Sequence, residues 1–368
     1  HMAVFLSRAF GLAEGPDPMF NDVHAGAWYA PEVAKLAASG ITRGCGDGTG
    51  FCPNQNTTRG QMATFLARAV GLVETPGAST STGPTSPPGH TWLSAGNNHA
   101  CAIGADGSVV CWGDDRYGQT RAFEGGFVAV SAGGFHSCGI RDDNTMSCWG
   151  ENRDRQLTRP RDVEFLTVSA GFRHSCAVAT DNTVHCWGSD VQGRATPRPG
   201  QYSQVSAGLD HTCGLRTDKR IQCWGHNSAG QGGVLDPMGT QTCSQTGCWH
   251  DLALIAGQFT NVSAGSVHTC GVRTDNHIEC WGDNQYGQSS PPWGQFLTVS
   301  SGFLHSCAVA TDNTVHCWGR DTHGETRAPS GEFMAVSAGS SFSCGLRTDG
   351  SIQCWGSNEN GRATPPAE

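Results

Sequence analysis

Lysine is almost absent from this chain, and long apolar runs are missing altogether. The 368 residues contain only two lysines, Lys35 and Lys219, and the formal net charge is −9 at pH 7. Because phosphate backbones are bound by clustered Lys and Arg, nothing in this composition predicts a nucleic-acid partner. No apolar stretch approaches the roughly 18 residues that a membrane-spanning helix needs, so we expect no membrane insertion.

The chain also lacks the short motifs that carry catalytic, metal-binding or cofactor chemistry. There is no C-x2-C knuckle, G-x-S-x-G elbow, H-E-x-x-H pair, Walker loop or dinucleotide fingerprint. We therefore predict no catalytic residues, no metal site and no cofactor. Paired carboxylates from different loops could still serve a glycosidase, although the sequence does not say which would pair. The loop carboxylates are Asp114, Asp115, Asp154, Asp190, Asp283, Asp321 and Glu325.

Cysteine, in contrast, is plentiful, with 18 residues. Fourteen of them form seven C-x9-C pairs, and a turn signal such as Ala105-Asp106-Gly107 lies inside each pair. A three-residue loop there places the two cysteines opposite each other on antiparallel strands, within disulfide range. The pattern predicts seven hairpin disulfides and a secreted protein, with metal binding or free thiols as the alternative. The pairs are Cys101 with Cys111, Cys138 with Cys148, Cys176 with Cys186, Cys213 with Cys223, Cys270 with Cys280, Cys307 with Cys317 and Cys344 with Cys354. We also predict disulfides in two further close pairs, Cys45 with Cys52 and Cys243 with Cys248.

The cysteine pairs mark a repeat that predicts the architecture. First cysteines recur at steps of 37, 38, 37, 57, 37 and 37 residues, and each unit reads F-x-x-V-S-A-G-x-x-H-S-C-x9-C-W-G with small variations. A period near 37 with strand-like alternation is typical of one four-stranded propeller blade. The fold class predicted for residues 91–368 is therefore all-β, a seven-bladed β-propeller. We expect the segment around Trp92 to supply the strand that the seventh blade lacks.

The same units resemble the regulator of chromosome condensation repeat family. The resemblance rests on "GGFHSC…CWGEN", "GSVHTC…CWGDNQYGQ" and their equivalents. It implies a propeller but no single function, because the family hosts exchange factors, photoreceptors, protein inhibitors and surface proteins. The negative net charge argues against binding to chromatin. Secreted bacterial propellers, including β-lactamase-inhibitor proteins, are closer in character but lack this cysteine pattern.

Residues 20–72 resemble an S-layer homology module, a small α-helical unit. The similarity lies in the Phe-x-Asp-Val start, Trp28, Gly40-Ile41 and Thr58-Arg59, although Gln61 stands where an acidic residue is usual. It implies anchoring to cell-wall polysaccharide, with Trp28 and Arg59 as contacts. "MAVFLSRAFGL" within 1–12 repeats "MATFLARAVGL", so we expect the tail of a truncated earlier module there. Residues 73–90, rich in Pro, Ser, Thr and Gly, predict an extended linker.

Two repeated side chains invite a functional interpretation. A histidine stands two residues before the first cysteine in six repeats, and a ring of imidazoles could bind metal. Phe342 holds the seventh position, however, and the resemblance makes this histidine a framework residue that bonds backbone within its blade. The tryptophan of each C-W-G is expected to pack between blades. The histidines are His99, His136, His174, His211, His268 and His305.

Functional residues are expected where the repeats differ, in the two residues before each histidine and in the loops after each C-W-G. In the propeller-type inhibitors the matching turns form the partner-binding face, and aromatic and Arg side chains are favoured at interfaces. The alternative is that some of them fill gaps between loops. The candidate contacts are Tyr117, Phe135, Phe172, Arg173, Leu209, Tyr286, Phe303 and Leu304.

One insertion interrupts the repeats near residues 232–251. It accounts for the single 57-residue step and contains Cys243, Cys248, Trp249 and His250. Three interpretations stay open, namely a binding loop, a decorative loop or part of an active site. We add Trp249 and His250 to the candidate contacts.

These observations predict a secreted, wall- or surface-associated protein that recognises its ligand without catalysis. Its partners would be cell-wall polysaccharide at the N-terminal module and an extracellular protein or glycan at the propeller loops. The alternative is a secreted hydrolase with its active site near the insertion, and a third possibility is a passive surface structure. A broad face rimmed by aromatics would favour a protein ligand, and a deep pocket with titratable groups in hydrogen-bond reach would favour an enzyme.

Overall fold

The structure is a computed structural model that describes residues 90–366, except for 234–240, 245–246 and 251–253. Several predictions fall outside the described residues. They are the helical module at 20–72 with its candidate contacts Trp28 and Arg59, the pair of Cys45 with Cys52, the module tail at 1–12 and all but the last residue of the linker at 73–90. In the insertion, backbone pairing is described but the side chains are not. Within the described ranges, no helix is long and apolar enough to cross a membrane.

Each of the seven repeats folds into a three-stranded antiparallel sheet whose strands follow one another in the chain. We call the sheets blades 1 to 7 and their strands inner, middle and outer, because the first strands contact one another in a closed cycle around the axis. Blades 1 to 3 comprise β1(His90–Ala95), β2(His99–Gly104), β3(Val109–Gly113); β4(Phe127–Ala132), β5(His136–Arg141), β6(Met146–Gly150); and β7(Phe165–Ala170), β8(His174–Ala179), β9(Val184–Gly188).

Blades 4 to 7 follow the same order, and the insertion forms a separate two-stranded hairpin between blades 4 and 5. Their strands are β10(Tyr202–Ala207), β11(His211–Arg216), β12(Ile221–Gly225); the insertion strands β13(Gln241–Ser244) and β14(Gly247–His250); β15(Phe259–Ala264), β16(His268–Arg273), β17(Ile278–Gly282); β18(Phe296–Ser301), β19(His305–Ala310), β20(Val315–Gly319); and β21(Phe333–Ala338), β22(Phe342–Arg347), β23(Ile352–Gly356). The seven-bladed, all-β prediction is confirmed.

A three-residue turn joins the middle and outer strands of every blade. In blade 2 the third turn residue, Asn144, has a φ of 63°, a conformation that Asn and Gly adopt more readily than other residues. Asp143 accepts a hydrogen bond from the Thr145 N–H across the turn. This turn sets the register that places Cys138 opposite Cys148, with 4.0 Å between their Cα atoms.

All seven predicted hairpin disulfides are present, one in each blade. In every case the first cysteine lies on the middle strand and the second lies directly opposite on the outer strand. The bonds join Cys101 to Cys111, Cys138 to Cys148, Cys176 to Cys186, Cys213 to Cys223, Cys270 to Cys280, Cys307 to Cys317 and Cys344 to Cys354. The middle-strand cysteines are buried, as is Cys223, whereas the other outer-strand partners are only half-buried. These partners are Cys111, Cys148, Cys186, Cys280, Cys317 and Cys354.

The four-stranded blade predicted from the period is wrong, because the segment that should form the fourth strand is mostly a connection. It is reduced to an isolated bridge between Phe123 and Val109 in blade 1, and between Ile255 and Ile221 in blade 4. In blade 5 the equivalent residue is Pro292, which has no N–H to pair. The expected role of Trp92 is also wrong, since His90–Ala95 is the inner strand of blade 1.

Two sets of hydrogen bonds run around the ring without a gap. In the first set, the backbone N–H of the first residue of each inner strand donates to the carbonyl oxygen of the third turn residue of the preceding blade. The bond from the His90 N–H to the Gly350 carbonyl oxygen, 2.8 Å, closes this set. In the second set, the serine side chain of each V-S-A-G motif accepts a hydrogen bond from the next blade. The donor is the backbone N–H of the residue that precedes the glycine in that blade's motif. Ala95 N–H to Ser337 Oγ, 2.8 Å, closes the second set. The seventh blade is thus joined to the first by the same bonds as every other pair.

The glycine of V-S-A-G has no space for a side chain. A Cβ on Gly133 would lie 2.5 Å from the carbonyl oxygen of Gly171 and 2.9 Å from Cε1 of His136. The same contact recurs around the axis until Gly339, whose Cβ would meet Gly96 O at 2.6 Å. The repeated glycine is therefore required by contact of one backbone with the next.

The hydrophobic core is divided into seven clusters, one in each interface between blades. Between blades 2 and 3, for example, Ile140 packs against Phe165 and Trp187. The Trp187 indole N–H also donates to the Gln156 carbonyl at 2.7 Å. This confirms the predicted packing role of the C-W-G tryptophans. Trp281, next to the insertion, is the exception, because its buried Nε1 has no hydrogen-bond partner among the described residues.

The six histidines join neighbouring blades through hydroxyl groups. His136 Nε2 lies 2.7 Å from Ser175 Oγ, and Ser175 Oγ donates to the Gln156 carbonyl at 3.1 Å. Since the hydroxyl proton is used there, the imidazole must donate from Nε2. The framework role is confirmed, but the partner is a side chain of the next blade, and the prediction of backbone within the same blade is wrong. The pairs are His99–Ser137, His136–Ser175, His174–Thr212, His211–Thr269, His268–Ser306 and His305–Ser343.

The seventh interface replaces this polar pair by an apolar one. Phe342 of blade 7 stands at the histidine position, and Ala100 of blade 1 stands where the other blades have Ser or Thr. Both are fully buried in one cluster. The two departures from the repeat therefore compensate each other, since neither residue leaves a buried polar atom without a partner.

Candidate binding face

The two variable parts of each repeat lie together on one face of the propeller. The first residue after each C-W-G donates its N–H to the residue before the histidine of the same blade, as Glu151 does to Phe135 O at 2.9 Å. The loops after C-W-G and the turns before the histidines therefore share a face, which we call the loop face. The opposite face, with the three-residue turns, we call the hairpin face.

A channel opens along the axis on the loop face. Its mouth is wide open to solvent and is lined in every blade by the Ala-Gly or Ser-Gly of the repeat and by the residue after it. That third residue is polar or glycine in blades 1, 2, 5 and 7 and apolar in blades 3, 4 and 6, so the mouth has a mixed lining. The third residues are Asn97, Gly134, Phe172, Leu209, Ser266, Phe303 and Ser340.

Aromatic side chains of blades 1 to 3 form a continuous cluster beside this mouth, which we call the aromatic patch. Tyr117 meets Phe135 edge-on with 5.7 Å between ring centroids, and Phe135 meets Phe172 at 5.4 Å. Arg153 lies over the Tyr117 ring at 5.6 Å. Arg173 lies over the Phe172 ring at 5.8 Å. Aromatic rings with guanidinium groups over them are typical of protein interfaces.

Burial within the aromatic patch increases towards the axis. Tyr117 is 38% exposed, whereas Phe135 and Phe172 are half-buried by their neighbours. Arg173 is exposed and forms a 3.5 Å ion pair with Asp154. The patch is therefore held in place by its own contacts, and its outer edge and charged rim stay available to a ligand.

The other predicted contacts lie farther around the same face. Leu209 and Phe303 line the channel mouth, and Leu304 follows Phe303 at the position that Phe135 and Arg173 occupy in their blades. Tyr286 is 50% exposed and stands in its loop where Tyr117 stands in blade 1. The structure thus brings Tyr117, Phe135, Phe172 and Arg173 into one patch. It leaves Tyr286 and Leu304 on the side of blades 5 and 6.

The insertion contacts the loop that follows blade 3. The backbone of β14, Gly247–His250, lies against the short 3-10 turn Val191–Gly193 in the loop that follows blade 3. Cys243 and Cys248 occupy directly opposed positions of the β13–β14 hairpin. Trp249 and His250 belong to β14, and the roles predicted for their side chains stay predictions.

A set of buried polar residues in the same loops was not predicted from the sequence, apart from Glu325, which was named only as a loop carboxylate. The last residue of each six-residue loop is buried and bonds its own loop, as Gln288 does by accepting the Tyr286 N–H and donating to Asp283. In blade 6 the last loop residue is instead an acid, Glu325, which forms a 3.1 Å ion pair with Arg320, the first residue of the loop. The dipeptides Gly-Gln, Gly-Arg and Gly-Glu, which recur at the ends of these loops, could have identified the buried residues from the sequence. The residues are Gln119, Gln156, Arg194, Gln231, Gln288, Glu325 and Arg362.

Some variable turn residues serve neighbouring loops. Arg194, buried at the end of its loop, forms an ion pair with Asp210 of blade 4. Arg362 donates to Asn98 of blade 1 at 2.6 Å. At these positions the variation matches one blade to the next, as in the alternative that the sequence left open.

The titratable groups of the described residues are arranged for structure. Burial lowers the pKa of His136 to about 3, and its Nε2–H is bonded to Ser175, so this imidazole stays neutral at pH 7 and joins two blades. The pKa of Asp114 is lowered chiefly by its hydrogen bonds with Arg116, whereas a general acid needs a raised pKa. Among the described residues no group of three or more His, Cys, Asp or Glu could hold a metal ion.

Comparison with protein families identifies both parts of the chain. The regulator of chromosome condensation (RCC1) repeat matches seven segments, and the S-layer homology domain matches residues 20–63. The RCC1 segments are 93–119, 127–156, 165–194, 202–231, 259–288, 296–325 and 335–362. The matches coincide with the seven blades and cover more than half of the chain.

Relatives and solved structures fall into the same two groups. The outer membrane protein SlpA of Thermus thermophilus is 42% identical over 80 residues, which are 22% of this chain and 8% of that protein. This chain therefore corresponds to only a small part of SlpA. The ectodomain of the Arabidopsis thaliana receptor kinase ACR4 has a TM-score of 0.58 at 24% identity, covering 76% of this chain and 100% of that one. Prp20p of Saccharomyces cerevisiae has the same TM-score at 15% identity, covering 70% and 82%. At these identities the likeness shows the fold alone.

Proposed function

Because this chain belongs to the regulator of chromosome condensation (RCC1) repeat family, we propose that its propeller is a non-catalytic binding unit whose loop face binds an extracellular protein. The S-layer homology match and the similarity to SlpA indicate a cell-surface or cell-wall-associated protein. A surface-associated binding role is thus supported by both parts of the chain. We further propose that Trp28 and Arg59 of the N-terminal module contact cell-wall polysaccharide.

The observation that carries the proposal is the aromatic patch. Three rings from three blades form one contiguous surface, and Arg153 and Arg173 supply donors at its edge. Protein interfaces bury roughly 800 Å² on each partner, with an aromatic centre and a polar rim. A surface that spreads over several blades suits such an area. The glycan that the sequence equally allowed would suit a single narrow groove better.

Capture of the partner with the full chain tests the proposal. Wild-type protein on beads would be incubated with surface and secreted proteins of the source cells, beside Tyr117→Ala and the double variant Phe135→Ala/Phe172→Ala. Val128→Ala is the matched control, because it removes an exposed apolar side chain of blade 2 on the hairpin face.

A protein retained by the wild type and the control, but weakened more than about tenfold by either loop-face variant, would support the proposal. Equal retention by all four chains would contradict it. Tyr117 is partly exposed, so its variant keeps the test valid if the double variant fails to fold.

The alternative function, a secreted hydrolase near 232–251, is tested by product release. The full chain and a chain without 232–251 would be incubated with a panel of polymeric substrates. Product formed only by the intact chain would support the hydrolase. We expect none, because the loop carboxylates Asp114, Asp321 and Glu325 have lowered pKa values and bonded partners.

A further inference from the structure

One tryptophan on the hairpin face is exposed, unlike those in the blade interfaces. Trp293 is 92% exposed, whereas the C-W-G tryptophans are buried or nearly so. Trp92 is also partly exposed, but its Nε1 donates to the Val130 carbonyl at 2.9 Å. Leaving a whole indole in water forgoes the stabilisation that its burial would bring. Trp293 therefore stands out as a side chain that does not contribute to the core.

The exposed indole is nevertheless held in a defined place. His277, in the turn region of blade 5, stacks on it with 4.8 Å between centroids and 33° between planes. Asn276 O accepts the Phe296 N–H at 2.7 Å, which ties the Trp293 segment to that turn. Pro291 and Pro292 restrict the preceding backbone. One face of the indole is thus backed by an imidazole, and we call the pair the Trp293 platform.

Polar groups of the same blade lie on the hairpin that carries His277. Arg273 forms a 2.6 Å ion pair with Glu279, which is 45% exposed. Asp275, 60% exposed, lies 3.9 Å from the same guanidinium. The surroundings therefore offer hydrogen-bond donors and acceptors instead of a continuous apolar surface. A protein interface centred here would lack the hydrophobic core that such interfaces contain.

The platform is specific to this blade. Three residues before the inner strand, where Trp293 stands, the other described connections have Glu124, Asp162, Pro199, Ala256 and Ser330. His277 likewise occupies a position where the other turns carry Ser108, Thr145, Thr183, Arg220, Thr314 and Ser351. Both members of the stack thus depart from the repeat in the same place, as expected for a site and not for a framework feature.

We propose that the Trp293 platform is a glycan-binding site that takes a neutral, β-1,4-linked pyranose polymer. The electron-rich face of an indole attracts the weakly positive C–H groups on the flat face of such a sugar. Glu279, Asp275 and Arg273 then supply hydrogen bonds to the equatorial hydroxyls. This site lies on the hairpin face and does not rest on the function proposed for the loop face.

Affinity electrophoresis of the full chain in gels containing glycol chitin or hydroxyethyl cellulose tests the proposal. The variants are Trp293→Ala, the conservative Trp293→Phe and His277→Ala. Leu297→Ala is the matched control, because it removes an exposed apolar side chain four residues away. Trp28→Ala separates retention by the N-terminal module from retention by the propeller.

The expected result is retention of the wild type in either gel, weakened about tenfold by Trp293→Ala and less by Trp293→Phe. Removing the aromatic ring from a nucleobase stacking site weakens binding by a similar factor. His277→Ala should weaken retention about threefold, and Leu297→Ala should not change it. Equal retention of Trp293→Ala and wild type, retention lost only in Trp28→Ala, or no retention in either polymer would each overturn the proposal.

A spectroscopic readout on the folded protein accompanies the gels. Iodide should quench the Trp293 contribution to the fluorescence of the free chain, and the polymer should protect it. Quenching that is the same with and without polymer would contradict occupation of the platform.

Discussion

The buried histidines must stay neutral in the folded protein. Burial lowers the pKa of His136, His211 and His268 to about 3, and that of His99 and His305 to about 4. Each of them donates its Nε2 proton to a hydroxyl and leaves Nδ1 without a partner among the described residues. A second proton would charge a ring that is out of contact with water, which is costly.

We expect the free energy of unfolding to fall as the pH drops from about 6.5 to about 4. In this window the unfolded chain binds protons at these histidines and the folded chain does not, so each contributes a loss of about 1.4 kcal/mol per pH unit. The stability is fully present above the unfolded pKa. Urea unfolding at pH 7, 6, 5 and 4.5 measures it. Carboxylates with lowered pKa, such as Asp321, lose their contribution only below about 3.8 and so act in a separate window.

A double variant that copies the seventh interface provides the control. His305→Phe with Ser343→Ala places the Phe342–Ala100 arrangement between blades 6 and 7. It should fold and lower the pH dependence between 6.5 and 4 by about a sixth, since it removes one of six similar groups. An unchanged slope would mean that His305 does not titrate as its burial requires.

At the residue scale, the sequence supported the role of the histidines but not their partners. The substitution of Phe342 was enough to argue against metal binding. The Ser or Thr that follows most of the histidines was visible as well. Its pairing with a histidine about 38 residues earlier depends on how neighbouring blades stack, however, and one repeat considered alone does not contain that information.

At the scale of the element, each disulfide belongs to a single hairpin. Cys307 and Cys317 sit on the middle and outer strands of blade 6, 4.0 Å apart between Cα atoms, and the other six bonds in the described residues are equivalent. None of these seven joins two blades. Each therefore restricts the unfolded chain only locally, while the interfaces between blades rely on packing and hydrogen bonds.

We expect Cys307→Ala/Cys317→Ala to lower the free energy of unfolding by about 2–3 kcal/mol, the range for a closed loop of this size. The reason is the added freedom of the unfolded hairpin, together with some lost packing at buried Cys307. Urea unfolding at pH 7 measures the loss, and circular dichroism should show the same strand content. A loss of native strand signal would instead mean that the blade needs its disulfide to form at all.

The middle and outer strands were predictable, because residues within each hairpin determine them. Alternation, the Asp-Asn and Asp-Gly turns and the cysteine spacing together determine the middle and outer strands. The fourth strand was not predictable from the period alone, because Phe123 pairs with its blade while Pro292 in the same place does not. Residues 93–96, at the end of β1, read L-S-A-G, which corresponds to the V-S-A-G of the other inner strands, so the place of β1 in blade 1 could have been predicted from the repeat.

At the scale of the whole molecule, the ring closes at an interface that differs from the other six. Phe342 and Ala100 replace the His–Ser/Thr pair there, while the backbone bond His90–Gly350 and the bond Ala95–Ser337 are retained. The closing contact is thus distinguished by side chains and not by a shared strand.

A double-mutant cycle tests this match. Phe342→His alone buries an imidazole without a hydroxyl partner, and Ala100→Ser alone buries a hydroxyl against a phenyl ring. Each should lower the free energy of unfolding by roughly 1–3 kcal/mol. The double variant should recover most of the sum, because it rebuilds the pair found in six interfaces. Additive losses in urea unfolding would contradict the proposed compensation.

The sequence predicted which segments form the loop face, but not which side chains on that face lie in contact. Variation between repeats selected Tyr117, Phe135, Phe172 and Arg173, and the structure places these four side chains in one patch. Their contact with a ligand stays a prediction. The same criterion also selected positions such as Asp210, whose partner is a neighbouring loop, since variation that matches two blades looks like variation that serves a ligand. The contact of the insertion with the loop after blade 3 is long-range, and no repeat encodes it.

Because no strand is exchanged where the ring closes, the same blades could also be connected in a different chain order. The segment after blade 7 follows the path of every other connection, since Arg362 O accepts the Trp112 indole N–H just as Gln119 O accepts that of Trp149. Elsewhere this path leads into the next inner strand, and here the next inner strand is β1. No sheet is shared between the two ends of the propeller. A circularly permuted gene that joined blade 7 to blade 1 and opened another connection would therefore encode the same seven intact blades.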